Sequence, residues 1–479
     1  MEALHLLLIA GEFAAQLTVA GWIVVRKGNR PAVATSWIVV VMTLPVAGIL
    51  AYLLMGEIYF GRRRMKRHAA ILQRLARPEF HRPSDRRANQ VELTHTELQV
   101  ARMAELVSGN GVTAGNRVSL SGDTDRSLQM MVEEIDRAAS HVHLLTYIYL
   151  DDAAGRLVGD ALCRAAARGV PTRLLVDGLG SRDFLRSPLA AGIRSSGVTV
   201  VEALPINPLR WLAHRVDVRN HRKLLVVDGN VAFTGSQNIA AKGFAPKARY
   251  APWVDCLLRI EGPLARELQL SFVEDWSLDH DESLESVLQV EPPWHSDGVE
   301  AQTVATGPNF NNVAMTQLVQ ALAQVASQEL ILTTPYFVPD NGFHMAMVVA
   351  ARRGVSVHLV VPRRNDSTLV AWASRSHYQE LLEAGVRIHE FQHGLLHAKT
   401  ITVDRALAVV MTANLDRRSF EINFEQSVLI YDRDFTTELR RLQESYMTQS
   451  TLVDPAEWAR RHWSVKLREN TAGLLSPLL

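Results

Sequence analysis

The sequence predicts an α/β protein of two repeated halves behind an N-terminal membrane hairpin, and three observations carry that prediction. Strand–helix–strand order occurs twice along the chain, which implies α/β layering. One short pattern, H-x-K-x-x-x-x-D, also occurs twice, at His221–Asp228 and His397–Asp404. Ahead of both, the first residues are apolar enough to enter a bilayer. Five segments follow: a membrane hairpin over 1–60, a basic juxtamembrane linker over 61–110, a first half over 111–285, a second half over 286–450, and a C-terminal helix and tail over 451–479.

The hairpin comes first. Residues 33–55 form an uncharged apolar run, and at about 1.5 Å per residue such a run crosses a bilayer. Pro45 and Gly48 within it are tolerable in a membrane helix. Residues 4–25 form a second, weaker candidate, because Glu12 and Gln16 are costly in hydrocarbon. The start at Met1-Glu2 has no basic n-region, which argues against a cleaved signal peptide. Arg62, Arg63, Arg64, Lys66 and Arg67, followed by Arg74, Arg77, Arg82, Arg86 and Arg87, outnumber Arg26, Lys27 and Arg30 between the spans. By the positive-inside rule this richer side, with everything after it, is cytoplasmic. The same stretch could hold anionic lipid headgroups.

In the first half, 143–149 reads as a strand, 159–168 as a helix closed by Gly169, and 172–176 as the next strand. In the second half 330–336 is a strand, the following helix ends at Arg353-Gly354, and 356–361 is again a strand. Polar, proline-containing residues 279–300 join the halves. The tail opens on Asp454-Pro455, an N-cap with proline at the first helical position, and carries Trp458 and Trp463. Those tryptophans point either to membrane contact or to packing on the body.

Composition limits the function. At 479 residues the chain exceeds one ordinary core, and its net charge of +1 argues against a protein built to coat nucleic acid. Cys163 and Cys256 are far apart and lack metal-ligand spacing, which suits a reducing compartment.

The motifs carry the chemistry. Residues i and i+2 of an extended segment share a face, so His221 projects with Lys223 and His397 with Lys399. Asp228-Gly229-Asn230 reads as a hairpin turn whose return strand ends at Gly235-Ser236-Gln237-Asn238. The second copy returns to Thr412-Ala413-Asn414. Each half thus presents an imidazole, an ammonium, a hydroxyl (Ser236 or Thr412) and an amide (Asn238 or Asn414) at one sheet edge. Asp228 and Asp404 complete the motifs, as turn residues that could pair with a neighbouring lysine. Tyr147, Tyr149, Tyr336 and Phe337 either line a lipid channel or pack in the core, and Trp211 suggests an interfacial loop. Lysine is a poor metal ligand and nothing has metal spacing, so neither metal nor cofactor is expected.

The duplicated motif and its following Asn resemble the phospholipase D superfamily. The run Thr412–Glu425, the apolar N-terminus and the terminal Leu-Ser-Pro-Leu-Leu are similar to bacterial cardiolipin synthases of the phospholipase D type. This resemblance spans essentially the whole chain. It implies two pseudo-symmetric αβα sandwich halves forming one catalytic body at the bacterial inner membrane. It also implies a downstream carboxylate for each motif that orients the histidine, by position Asp255 and Glu425. The implied reaction is reversible transfer of a phosphatidyl group between two phosphatidylglycerol molecules, giving cardiolipin and glycerol through a phosphohistidine. His221 is the favoured nucleophile and His397 the acid and base, with the reverse assignment open. A phospholipase D-type hydrolase, another phosphatidyltransferase and a nuclease would use the same residues. The second motif departs from the first in having Met411 where the first has Gly235, which leaves open how closely the backbone approaches phosphate there.

Overall fold

The computed structural model describes residues 2–27, 31–56, 62–75, 92–205, 217–308 and 313–474. Trp211 therefore lies outside the described residues. The strands are β1 (Thr113–Ser121), β2 (Val142–Thr146), β3 (Thr172–Asp177), β4 (Thr199–Ala203), β5 (Leu224–Val227), β6 (Val231–Gly235), β7 (Trp253–Val254), β8 (Leu257–Glu261) and β9 (Val299–Thr306). There follow β10 (Glu329–Thr333), β11 (Phe337–Val338), β12 (Ser356–Pro362), β13 (Arg387–Phe391), β14 (Leu395–Leu396), β15 (Thr400–Val403), β16 (Leu407–Met411), β17 (Leu415–Asp416), β18 (Glu425–Ile430) and β19 (Ser450–Leu452).

Fifteen of these strands form one sheet, in the order β19-β13-β12-β10-β15-β16-β18-β9-β1-β8-β6-β5-β2-β3-β4. Read outward from the β9–β1 junction, the two series follow the same sequence of roles. Each comes first to the antiparallel hairpin that follows the motif (β6–β5 or β16–β15) and then to parallel strands joined by a helix (β2–β3 or β10–β12). The first helix, Ala153–Ala167, starts before the sequence expectation because Asp152 caps it through the Gly155 N–H.

Strand alternation divides the core. Leu224 and Val226 pack on one side of the sheet, with helix Pro263–Asp279, while Leu225 and Val227 pack on the other, with helices Thr124–Arg137 and Ala153–Ala167. Helix Arg433–Thr448 supplies Phe435, Leu439 and Tyr446 to the same core as Leu224. The hairpin turn at Asp228-Gly229 has both residues at positive φ, 55° and 71°, and is closed by Asn230 N–H to Val227 O. The second turn puts Asp404 and Arg405 there, at 50° and 56°.

Two expectations are corrected at the N-terminus. The segment preferred as a continuous span, 33–55, is broken: helix Pro31–Thr43 ends, Leu44 is extended, and helix Pro45–Ala51 begins anew. The residue before a proline avoids helical geometry, and Pro45 has no N–H to give the carbonyl four residues back. The weaker candidate is instead the unbroken one, Glu2–Lys27, of which His5–Arg26 is long and apolar enough to cross a membrane. Gln16, the residue that counted against it, donates through Nε2 to Val41 O at 2.9 Å, the carbonyl that Pro45 leaves without its helical donor. A polar group that looked like a cost repairs a neighbouring helix break.

The stretch read as a basic linker is helical over Arg62–Leu75 and His95–Ser108, and both helices dock on the body. Arg64 forms a bidentate pair with Asp279 at 2.7 and 2.9 Å, and Arg67 donates to Ser277 O and His280 O. Arg74 sits 3.4 Å from Glu285. These three arginines are engaged with protein, which narrows the headgroup-binding reading to the others.

Candidate active site

His221 and Lys223 lie just before β5, and His397 and Lys399 just before β15, and all four are buried. The backbone locks the two motif segments against each other. His221 N–H donates to Phe424 O at 2.9 Å, and the His397 and Ala398 N–H groups both donate to Val254 O, at 2.7 and 2.9 Å. Short parallel pairing of β7 with β14 continues that contact.

The carboxylates expected to orient the histidines meet them crosswise. His221 Nδ1 lies 2.9 and 3.0 Å from the Glu425 oxygens, and His397 Nδ1 lies 2.6 Å from Asp255 Oδ1. Each carboxylate follows one motif in sequence and serves the histidine of the other. The reason is register: Asp255 and Glu425 sit immediately beyond the residues whose carbonyls receive the opposite histidine's N–H. An ionised carboxylate only accepts, so each Nδ1 carries the proton and each Nε2 keeps its lone pair.

Both hydroxyls back the carboxylates rather than standing free for phosphate. Ser236 Oγ donates to Asp255 at 2.6 Å, and Thr412 Oγ1 donates to Glu425. Asn423 Nδ2 adds a third donor to Glu425 at 3.3 Å. Asn238 Oδ1 accepts from Ile148 N–H at 3.2 Å, which leaves its amide N–H groups to donate elsewhere, and Asn414 Oδ1 is buried without a partner.

Asp228 and Asp404, the turn residues that close the motifs, each hold three backbone N–H groups. Asp228 accepts from the N–H groups of Ala139, Ser140 and His141, and Asp404 from those of Ser327, Gln328 and Glu329. They sit at the far ends of β5 and β15 from the histidines and pair with no lysine there, so they pin the loop that enters β2 or β10. Gly235 also has a local reason. Its φ is +149°, and a Cβ there would come 2.4 Å from Cys256 O. The neighbour that forbids a side chain is β8 rather than a ligand, while Met411 in the second copy packs in the core.

Electrostatics unify the site. Burial, the lysine ammoniums and incomplete compensation by the carboxylates hold both imidazoles down at about 4. Each histidine feels the lysine of the other motif as well as its own. Burial lowers Lys223 to about 7 and Lys399 to about 8. Each lysine donates to its own histidine's carbonyl, at 2.6 and 2.5 Å, which fixes the ammonium beside the ring. Asp255 and Glu425 are held below the usual carboxylate range, against the effect of burial, by their histidine and lysine neighbours.

The aromatic expectations divide. Tyr147 lies edge-on to His221 at 4.9 Å, with Lys223 Nζ 5.4 Å from its ring centre, so it is part of the site. Tyr149 stacks on Phe184 and Phe337 is in the core, while Tyr336 donates to Asp366. Sequence reasoning missed three groups. Trp253 packs 4.6 Å from His397. It stands two residues before Asp255, where strand alternation could have placed it. Asn423 has the same relation to Glu425. Arg222 is fully buried, with Nη1 2.9 Å from Asp275 Oδ1 and with Nε and Nη2 donating to Glu425 O and Thr306 O. A lone arginine beside a motif carries no sequence mark of such burial.

Known proteins resemble the chain in sequence and in fold. The family described as "Cardiolipin synthase, PLD-like domain" matches residues 131–276 and 318–447, and one described as "Phospholipase_D-nuclease N-terminal" matches 17–57. The chain is 37% identical to cardiolipin synthase A of Yersinia pseudotuberculosis serotype IB over 465 residues, and 35% identical to that of Edwardsiella ictaluri over 460. Both matches cover 95% of each chain. Among solved structures, phosphatidylserine synthase of Haemophilus influenzae superposes with a TM-score of 0.60 at 15% identity, over 80% of this chain and 100% of the other. At that identity the likeness speaks for the fold alone.

Proposed function

This chain belongs to the cardiolipin synthase family with phospholipase D-like domains, and from that premise we propose how its residues carry out the reaction. The enzyme is a phosphatidyltransferase acting as a cardiolipin synthase on phospholipid substrates. Phosphatidylglycerol serves as both donor and acceptor.

His221 Nε2 attacks the phosphorus of one phosphatidylglycerol, and the bond from phosphorus to the headgroup glycerol oxygen breaks. His397, protonated on Nε2, gives its proton to that oxygen and glycerol leaves. The terminal hydroxyl of a second phosphatidylglycerol then yields its proton to His397 while its oxygen displaces His221 from phosphorus, completing cardiolipin. Lys223 and Lys399 neutralise the nonbridging oxygens, and Asn238 and Asn414 hydrogen-bond to them. Burial and the two lysines leave both imidazoles neutral at neutral pH, so the nucleophile is ready and the acid lacks its proton. The entering phosphodiester anion offsets the lysine charges that suppress protonation, so His397 takes up its proton as substrate binds. One phosphoester is exchanged for another, so the cycle needs no nucleotide, and the lysines do the work of a metal.

The body acts as two pseudo-symmetric halves, one motif each, with their His–carboxylate pairs exchanged. The N-terminal apolar helices hold it at the bacterial inner membrane as a two-span hairpin, with the body on the cytoplasmic side. The crossed pairing of His221 with Glu425 and His397 with Asp255 is the observation that carries the mechanism, because it makes the two motifs one site. The test is to supply purified, detergent-solubilised protein with phosphatidylglycerol alone and identify the lipid products. Cardiolipin with equimolar glycerol is expected; phosphatidic acid as the main product would assign the site to a hydrolase.

A further inference from the structure

The C-terminal helix Trp463–Leu474 carries an outward stripe that the reaction does not use. Trp463, Leu467 and Leu474 are 67, 58 and 74% exposed. At 3.6 residues per turn they fall within an arc of roughly 40°. The opposite face is the packed one: Ala472 and Glu469 are buried, and Glu469 pairs with Arg461 at 2.7 Å. Trp458, by contrast, is buried against Tyr378, so the tail's two tryptophans serve different ends. The inner face holds an ion pair, while the outer face exposes two leucines and a tryptophan around Asn470, an unusual load of apolar surface for a helix on a soluble body. The sequence beyond it continues apolar, with Leu475, Leu478 and Leu479. Lys466 and Arg468 lie on either side of the stripe, with Lys466 Nζ donating to Ala459 O at 2.8 Å and the Arg468 guanidinium 4.7 Å over the Trp372 ring.

Position matters as much as composition. Ala472 packs with Val338 of β11, and β11 pairs with β17, which directly follows Asn414. The helix that follows the N-terminal apolar segment, Arg62–Leu75, is tied by Arg64 to Asp279, one turn beyond Asp275 on the helix whose Asp275 holds Asn220 and Arg222 beside His221. Each element therefore docks on a part of the body that adjoins one of the motifs.

We propose that the Trp463–Leu467–Leu474 face is a second membrane contact, seated at the headgroup boundary of an anionic phospholipid bilayer, which holds the catalytic mouth against the lipid surface. The proposal rests on the membrane reading of the N-terminal helix given above. Lipid is favoured over a protein partner because an exposed tryptophan and leucines ringed by arginine and lysine complement an interface that is apolar below and anionic above. The N-terminal helix supplies the first attachment, and the second fixes orientation.

The test uses the full-length chain in vesicles of phosphatidylethanolamine and phosphatidylglycerol, with Cys163→Ala and the buried Cys256 left in place. An environment-sensitive fluorophore is attached in turn to Leu467→Cys on the stripe, Ser464→Cys about 100° away from Trp463, and Leu17→Cys in the N-terminal helix. The expected result is quenching by nitroxide-labelled lipid and shielding from aqueous iodide at 467, as at 17, with iodide access at 464. Iodide access at 467 together with lipid quenching at 17 overturns the proposal while leaving the membrane reading intact. Loss of lipid quenching at 17 as well removes the membrane reading itself. Self-quenching at 467 that depends on label density would show a second copy on the face and also overturns the proposal. A Trp463→Glu/Leu467→Glu/Leu474→Glu variant should raise KM on vesicles on the order of 10-fold, with kcat in detergent micelles unchanged. An unchanged KM counts against the contact.

Discussion

Crossed orientation predicts which carboxylate variants behave like which histidine variants, whichever histidine is the nucleophile. The perturbations are Glu425→Gln and Asp255→Asn, which keep shape and remove charge. Each carboxylate accepts the Nδ1 proton at close range, with Glu425 in two contacts at 2.9 and 3.0 Å and Asp255 in one at 2.6 Å. An amide can present its NH2 to that nitrogen and reverse the tautomer, which in a serine-protease triad costs about 10⁴ in kcat. A loss of roughly 10³–10⁴ is expected here, or about 4–5.5 kcal/mol of barrier at 1.36 kcal/mol per decade. The assay is rapid quench with a labelled phosphatidyl donor whose leaving group needs no proton, so that loss of the acid does not block the first step. The His→Ala variant lacking the acid and base then accumulates a phosphatidyl-enzyme, and the variant lacking the nucleophile does not. If His397→Ala accumulates it, Asp255→Asn must do so and Glu425→Gln must not; if His221→Ala accumulates it, the pattern inverts. Pairing within one motif segment, with Glu425→Gln matching His397→Ala, would refute the crossed geometry.

Three further outcomes follow from the same structure. Lys223, held near 7, and Lys399, near 8, are charged below those values and neutral above them, so kcat/KM should fall as pH rises through 7 to 8 in a pH–rate profile. Lys399→Met should lower the whole profile and remove one ionisation from that limb. Asp228→Ala and Asp404→Ala should each lower unfolding free energy by roughly 1–3 kcal/mol in denaturant melts, because three backbone N–H groups lose a charged acceptor. The folded fraction should keep kcat within about three-fold, since neither aspartate reaches the site; a thousandfold loss at full stability would make them catalytic after all. Gly235→Ala should destabilise by on the order of 1–3 kcal/mol through its positive φ and the Cys256 carbonyl, measured as a lowered melting midpoint.

Much of the site could be read from spacing because the motif residues lie in segments that lead directly into strands, where a period of two applies. His221 with Lys223, His397 with Lys399, and the hairpins that return Asn238 and Asn414 all followed from that period. What spacing could not supply was anything depending on how the two motif segments meet. Asp255 and Glu425 were identifiable as carboxylates, yet their exchange between histidines is a tertiary fact. The hydroxyls of Ser236 and Thr412 looked like phosphate donors because sequence shows their proximity to the site and conceals their partner. At the N-terminus, hydropathy did not show that the second apolar segment is broken into two helices. An averaged window does not register that one proline removes a hydrogen bond, or that a glutamine on the neighbouring helix restores it.

The motifs differ most at their middle residue, and that difference bears on the roles of the histidines. Ala398 has no polar side chain to place, whereas Arg222 is buried with its guanidinium shared among Asp275, Glu425 O and Thr306 O. Asp275 also accepts from Asn220 Nδ2 at 2.9 Å, so the residues on both sides of His221 are tied to one helix. Through the Glu425 carbonyl the same arginine holds the strand whose side chain orients His221. A buried charge with this many partners is costly to disturb, which makes its surroundings rigid. The second motif has no such clamp, and His397 is steadied by Asp255 and the face of Trp253. In-line attack on phosphorus needs one fixed nitrogen aligned with one bond. An acid and base must instead serve two oxygens in turn, the departing glycerol and the incoming hydroxyl, and gains from freedom to move between them. The more tightly framed imidazole suits the nucleophile, and that asymmetry favours His221.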